Sequence, residues 1–94
     1  MTAFAVMIRE KITNPEEFAT YGQMAPAART EDLKALAFYG AFEVLEGPPV
    51  EGVVLIQFPS LQAAKAWYES DAYQAALKHR LAGAEYRVVL VEGL

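Results

Sequence analysis

The sequence contains no cysteine and only one histidine. The first absence excludes disulfide frameworks, thiolate nucleophiles and cysteine-held zinc or iron–sulfur centres. The second argues against histidine-rich metal sites, so no metal and no cofactor are expected. Excess positive charge is also missing: the formal net charge is −4, which argues against nucleic acid as a partner. The longest apolar run, Ala3 to Ile8, is far too short to span a bilayer and has no charged segment before it, so neither a membrane partner nor a signal peptide is expected. Glycine and proline are ordinary and charged residues make up 21%, a composition unlike disordered or low-complexity chains. What remains is 94 residues that are 54% hydrophobic. That makes one domain over residues 1–94 with no room for a second, expected to be soluble and cytoplasmic.

The order of elements follows from local signals. Ala3 to Arg9 reads as a strand rich in Phe, Val, Met and Ile. Asn14-Pro15-Glu16-Glu17 supplies an N-cap, a proline at the first helical position and acidic residues in the first turn. Phe18, Tyr21 and Met24 or Ala25 recur at helical spacing, and Pro26 is expected to end or kink the helix near Ala25. Leu36 to Leu45 and Val53 to Phe58 read as a hairpin across Gly47-Pro48-Pro49. Ser60 caps a helix from Leu61, with Leu61, Ala64, Trp67 and Tyr68 on one face. Ser70-Asp71 restarts the helix, and Tyr73, Ala76, Leu77 and Arg80 continue the stripe until Gly83. Tyr86 to Val91 forms the last strand. The order βαββαβ is the α+β, ferredoxin-like pattern: a four-stranded antiparallel sheet with two helices on one face.

Strand residues alternate between the two faces of a sheet. Phe4, Val6 and Ile8 oppose Ala3, Ala5 and Met7; Val54, Ile56 and Phe58 oppose Val53, Leu55 and Gln57; Val88 and Leu90 oppose Val89 and Val91. In the second strand, Leu36, Phe38, Phe42 and Val44 oppose Ala37, Tyr39 and Ala41. A sheet wetted on one side should show polar alternation, and this one is apolar on both. Two helices cover one face, and an apolar patch above a few hundred Å² is unusual on a monomer. The expected solution is a homodimer with its sheets packed face to face.

Gly40-Ala41-Phe42-Glu43-Val44-Leu45-Glu46-Gly47, Phe58-Pro59-Ser60, Ala66-Trp67-Tyr68-Glu69-Ser70, Tyr73, Arg80 and Val91-Glu92-Gly93 together resemble the domain-of-unknown-function 1330 family over nearly the whole chain. The resemblance implies a dimeric α+β barrel and brings no established activity. Where the family often carries an Arg-Gly-Gly-type stretch, this chain has Phe38-Tyr39-Gly40, so a basic group is missing there.

Tyr73, Leu77 and Arg80 stand at i, i+4 and i+7, which places Arg80 on an apolar stripe. A guanidinium keeps its proton, so a buried one needs a carboxylate, carbonyls or an anionic ligand. With Trp67 and Tyr68 on the preceding turns, it suggests a small ligand pocket with aromatic walls and one cation. The plainer account is an arginine paired with Glu43 or Glu92 beside an aromatic core. Tyr39, Glu43 and Gln57 share the second and third strands with the small residues Ala37 and Ala41, which leaves room for a cavity. There Glu43 is either a general base or a partner for Arg9, Arg80 or Arg87. His79 lies one position off the buried stripe, facing solvent or a cleft rim. Ser60 and Ser70 are read as caps.

The architecture is also similar to that of small α+β barrel monooxygenases and isomerases, in some of which a Trp and a Tyr line a pocket between helices and sheet. That similarity implies Trp67 and Tyr73 in those places, with Arg80 orienting an acidic or enol substrate. The competing reading is a non-catalytic dimerisation module whose aromatics are only core.

Overall fold

The computed structural model describes residues 1–94. In chain order it has β1 (Ala3–Ile12), α1 (Pro15–Met24), a 3-10 turn (Ala25–Ala28), β2 (Lys34–Phe38), β3 (Gly52–Phe58), α2 (Leu61–Glu69), α3 (Asp71–Gly83) and β4 (Ala84–Glu92). The strands form one sheet in the order β2-β3-β1-β4, with every neighbouring pair antiparallel. This is the expected α+β arrangement, with the second helical region divided in two. No helix is long and apolar enough to cross a membrane.

The helix starts are made by the side chains that the sequence placed there. Asn14 Oδ1 accepts from the backbone N–H of Glu16 (3.2 Å) and Glu17 (3.3 Å), with Pro15 opening the helix. Ser60 Oγ accepts from Ala63 N–H (3.0 Å) and Ser70 Oγ from Tyr73 N–H (3.2 Å). Each such cap contributes about 1 kcal/mol. Helix α1 stops at Met24 and the chain tightens into the 3-10 turn at Ala25-Pro26, because a proline cannot donate to a continuing helix. Gly83 closes α3 onto the start of α1: its carbonyl accepts from Thr13 N–H (2.8 Å) and Asn14 N–H (3.0 Å). A Cβ at Gly83 would lie 2.5 Å from the Phe18 nitrogen, so no other residue lets the helices approach this closely.

Ala3, Ala5, Met7, Val54, Ile56 and Phe58 are buried beneath the helices, together with Ala64, Trp67, Tyr73, Ala76 and Leu77. The opposite face is bare. Register places Phe4 beside Val91, Val6 between Leu55 and Val89, and Ile8 between Val53 and Arg87, and Val89 and Val91 are 54% and 48% exposed. The molecule measures 34 × 33 × 17 Å, the thickness of one helix layer on one sheet.

The second strand is shorter than the alternation suggests. It ends at Phe38, not Leu45, and residues 39–51 form an irregular connector in place of a tight hairpin. Two local features cause this. The β2–β3 register slips between Ala35 and Ala37, and Tyr39 takes a left-handed backbone conformation (φ 53°) that turns the chain out of the ladder. The connector lies along the bare face, where Phe42, Val44, Leu45, Ile8 and Val53 line an apolar groove of about 570 Å³. β1 in turn runs past Arg9 to Ile12.

Candidate functional site

The helix-covered face is apolar except at one end, where it changes character. Arg9 has the same parity as Ala3, Ala5 and Met7, and it pairs in register with Gly52 on one side and Tyr86 on the other. Its side chain is therefore directed under α1. The Arg9 guanidinium carbon lies 4.5 Å from the ring centre of Tyr39 and 5.2 Å from that of Phe18. Tyr39 reaches this position by crossing over Gly52, where a Cβ would meet its ring at 2.6 Å. From there its hydroxyl pairs with that of Tyr86.

A second arginine stands beside the first. Arg80 is 3% exposed, and its guanidinium carbon lies 4.7 Å from the ring centre of Tyr86 and 5.9 Å from that of Tyr21. The Tyr21 and Tyr73 hydroxyls are hydrogen-bonded at 2.9 Å, with their rings edge to face. No carboxylate oxygen comes within 4.0 Å of Arg80, and its Nε is buried without a hydrogen-bond partner. Arg9 is better served. One Nη donates to the Glu51 carbonyl (3.0 Å) and the Glu51 carboxylate stands 3.9 Å from Nε, although Nε itself is left unpaired.

Burial raises the pKa of Tyr21, Tyr73 and Tyr86 above the ordinary phenol value. The nearby Arg80 charge opposes the rise at Tyr21 and Tyr73, and Arg9 opposes it at Tyr86. The phenols are thus neutral at physiological pH and cannot neutralise the guanidinium charges. Arg80 and Tyr86 also form part of the wall of an open cleft of about 500 Å³, together with Tyr68, Leu81, Ala84, Glu85 and Val88. A buried cation that meets phenol rings but no carboxylate, at the wall of an open cleft, suits the binding of an anion.

The residues singled out in the sequence are distributed as follows. Tyr68 and Arg80 line the cleft. Trp67 (6% exposed) and fully buried Tyr73 pack on each other, ring centres 4.3 Å apart, and belong to the core rather than the cleft wall. Tyr39 joins the cluster through its hydroxyl. Glu43 does not: it sits in the connector on the far side of the sheet, in the groove that Arg87 also lines. The shared cavity for Tyr39, Glu43 and Gln57 is thus not formed, because the chain leaves the ladder at Tyr39. Nor does Glu43 or Glu92 pair with Arg80. His79 is not simply solvent-facing, since its Nδ1 meets the Glu17 carboxylate at 2.6 Å between α3 and α1. Arg9, Tyr21 and Tyr86 were missed as a group, although the parity of Arg9 with Ala5 and Met7 was a usable signal.

The fold recurs in solved structures. A protein of unknown function from Rhodopseudomonas palustris matches with a TM-score of 0.77 at 21% identity, over 99% of this chain and 82% of that one. A dimeric ferredoxin-like protein of unknown function from Thermobifida fusca matches with a TM-score of 0.67 at 16% identity, over 97% and 90%. A dimeric protein of unknown function with a ferredoxin-like fold from Bacteroides fragilis matches with a TM-score of 0.64 at 14% identity, over 98% and 96%. At these identities the likeness concerns the fold alone. No curated protein matches the chain. The family model described as "Domain of unknown function (DUF1330)" matches residues 2–94, and the chain therefore belongs to the DUF1330 family.

Proposed function

We propose that the protein is a homodimer, joined through the bare sheet face, that binds a small acidic or aromatic molecule in the cleft between helices and sheet. The observation that carries the ligand reading is Arg80: a buried guanidinium with no carboxylate within 4.0 Å, at the wall of an open cleft. A carboxylate there would complete its hydrogen bonds and its charge together. The reading stops at binding, since the cleft wall brings no nucleophile–base pair together. Chemistry of the cofactor-independent monooxygenase or isomerase kind rests on analogy of fold.

The dimer is supported by area. The chain exposes 6155 Å², whereas a monomer of 10.3 kDa is expected to expose about 5,400 Å². The excess is close to one partner's share, about 800 Å², of a standard interface. Two of the similar structures are described as dimeric.

The test is a melting-temperature screen against small aryl and alkyl carboxylates, followed by binding measurements on Arg80→Lys and Arg80→Ala. A ligand at ten times its Kd stabilises by about 1.4 kcal/mol, which moves Tm by several degrees in a domain of this size. Arg80→Lys should keep the fold and lose most of the affinity. A wild-type protein whose Tm no carboxylate moves would leave the second reading, a dimerisation module without a ligand, which is favoured by the core positions of Trp67 and Tyr73.

A further inference from the structure

The polar groups at this end of the sheet are unbalanced in kind. Each guanidinium carries only donors. In each tyrosine pair one hydroxyl hydrogen is used in the mutual bond and the other is left over. Arg80 Nε and Arg9 Nε have no acceptor. Glu51, the one carboxylate within 4.0 Å of either guanidinium, already accepts from Ile12 N–H (2.9 Å) and stands beside Arg9 rather than Arg80, while the exposed Glu85 of the cleft wall pairs with neither. Apart from Glu51, the acceptors that the two guanidinium groups face are neutral phenol oxygens, Tyr73 for Arg80 and Tyr86 for Arg9, so the cluster has charged donors and no anionic acceptor at Arg80. Hydrogen-bond matching then selects a ligand that offers acceptors, and penalises one that brings N–H or O–H groups of its own.

Geometry narrows the class. Arg80 and Tyr86 line the same cleft, with the guanidinium held over the Tyr86 ring, so a charged donor and a phenol belong to one wall. Tyr68, Leu81, Ala84 and Val88 supply an apolar stretch beside the exposed Glu85, which fits a hydrocarbon or aryl tail. We infer that the favoured ligands are 2-oxo acids with an apolar tail, the carboxylate on Arg80 and the adjacent keto oxygen accepting from the Tyr86 hydroxyl. This rests on the acid-binding reading above and specifies its substrate class. Arg9 and Tyr39 act behind Tyr86 as positioning residues: Tyr39 pairs with its hydroxyl, and Arg9 lies over the Tyr39 ring.

Calorimetric titration of the intact protein with four acids on one carbon frame tests this: phenylpyruvate, phenyllactate, 3-phenylpropanoate and phenylalanine. Phenylpyruvate should bind about tenfold tighter than 3-phenylpropanoate, the net margin of one hydrogen bond. Phenyllactate should fall between them. Phenylalanine, whose ammonium sets donors against donors, should bind weakest. Measured on Tyr86→Phe, phenylpyruvate and 3-phenylpropanoate should bind equally, whatever the change in overall affinity, and Tyr39→Phe should narrow the margin. In the wild type, equal affinity for phenylpyruvate and 3-phenylpropanoate, or phenylalanine binding as tightly as either, would overturn the inference and leave acid binding standing. Absence of binding by all four would overturn both.

Discussion

The two faces of the sheet start from the same kind of sequence and end in different states. On one, Ala3, Ala5, Met7, Val54, Ile56 and Phe58 are covered by helices of their own chain. On the other, Phe4, Val6, Leu55 and Val89 form an equally apolar surface that the chain leaves bare apart from the connector at its edge. The covered face is small in its central residues, with Ala3, Ala5, Ala64 and Ala76 all fully buried, and this lets the bulky rings of Phe58, Trp67 and Tyr73 fit between the layers. The lesson is that apolar alternation marks what must be covered without saying by what. One face is covered by intrachain packing, and association with a second copy is the proposed cover of the other.

Three experiments test this contrast. The largest effect is expected on the covered side. Phe58→Ala should cost about 3–5 kcal/mol, the usual result of emptying a buried aromatic site, read as a lower urea midpoint or loss of the folded state. On the bare side, a double change of Val6→Arg and Val89→Arg places charges on directly opposed residues. It should convert the species seen in sedimentation from dimer to monomer while far-ultraviolet circular dichroism stays native. If the wild type already sediments as a monomer at micromolar concentration, the contrast between the faces loses its second half. The third concerns the polar end of the covered face. Tyr21 and Tyr73 have folded-state pKa values raised above the ordinary 10.0 by burial. The unfolded chain therefore gives up these protons first as pH rises. Their contribution is fully present below about pH 10 and falls above it, by up to about 1.4 kcal/mol per pH unit for each phenol. Unfolding curves at pH 9 and pH 11 measure it, and Tyr21→Phe should flatten the slope.

Local signals account for most of the secondary structure. Asn14, Ser60 and Ser70 cap the helices at the positions their identities suggest, Pro26 ends α1, and parity sorts β1, β3 and β4 correctly, because caps and alternation depend on neighbours a few residues away. The second strand is different. Phe42 and Val44 continue the apolar alternation of Leu36 and Phe38, but the turn at Tyr39 is stabilised by partners outside the strand: Val53 accepts from its N–H (2.9 Å), Arg9 lies under its ring and Tyr86 meets its hydroxyl. The site divides in the same way. The inward stripe of Tyr73, Leu77 and Arg80 could be read from helical spacing, whereas the hydroxyl pairs join residues 52 and 47 positions apart.

By itself, then, the chain of residues determined the order of elements, the capped helix starts, two apolar sheet faces and a guanidinium turned inward, all consequences of backbone geometry repeating over short distances. Tertiary structure decided which groups would meet that guanidinium. Glu43, a nominal partner, was carried to the far side of the sheet, while Tyr21, Tyr86 and Arg9 were brought from three separate elements. Charges and hydroxyls attract whatever the packing brings within a few ångströms, and that distance is set by the fold.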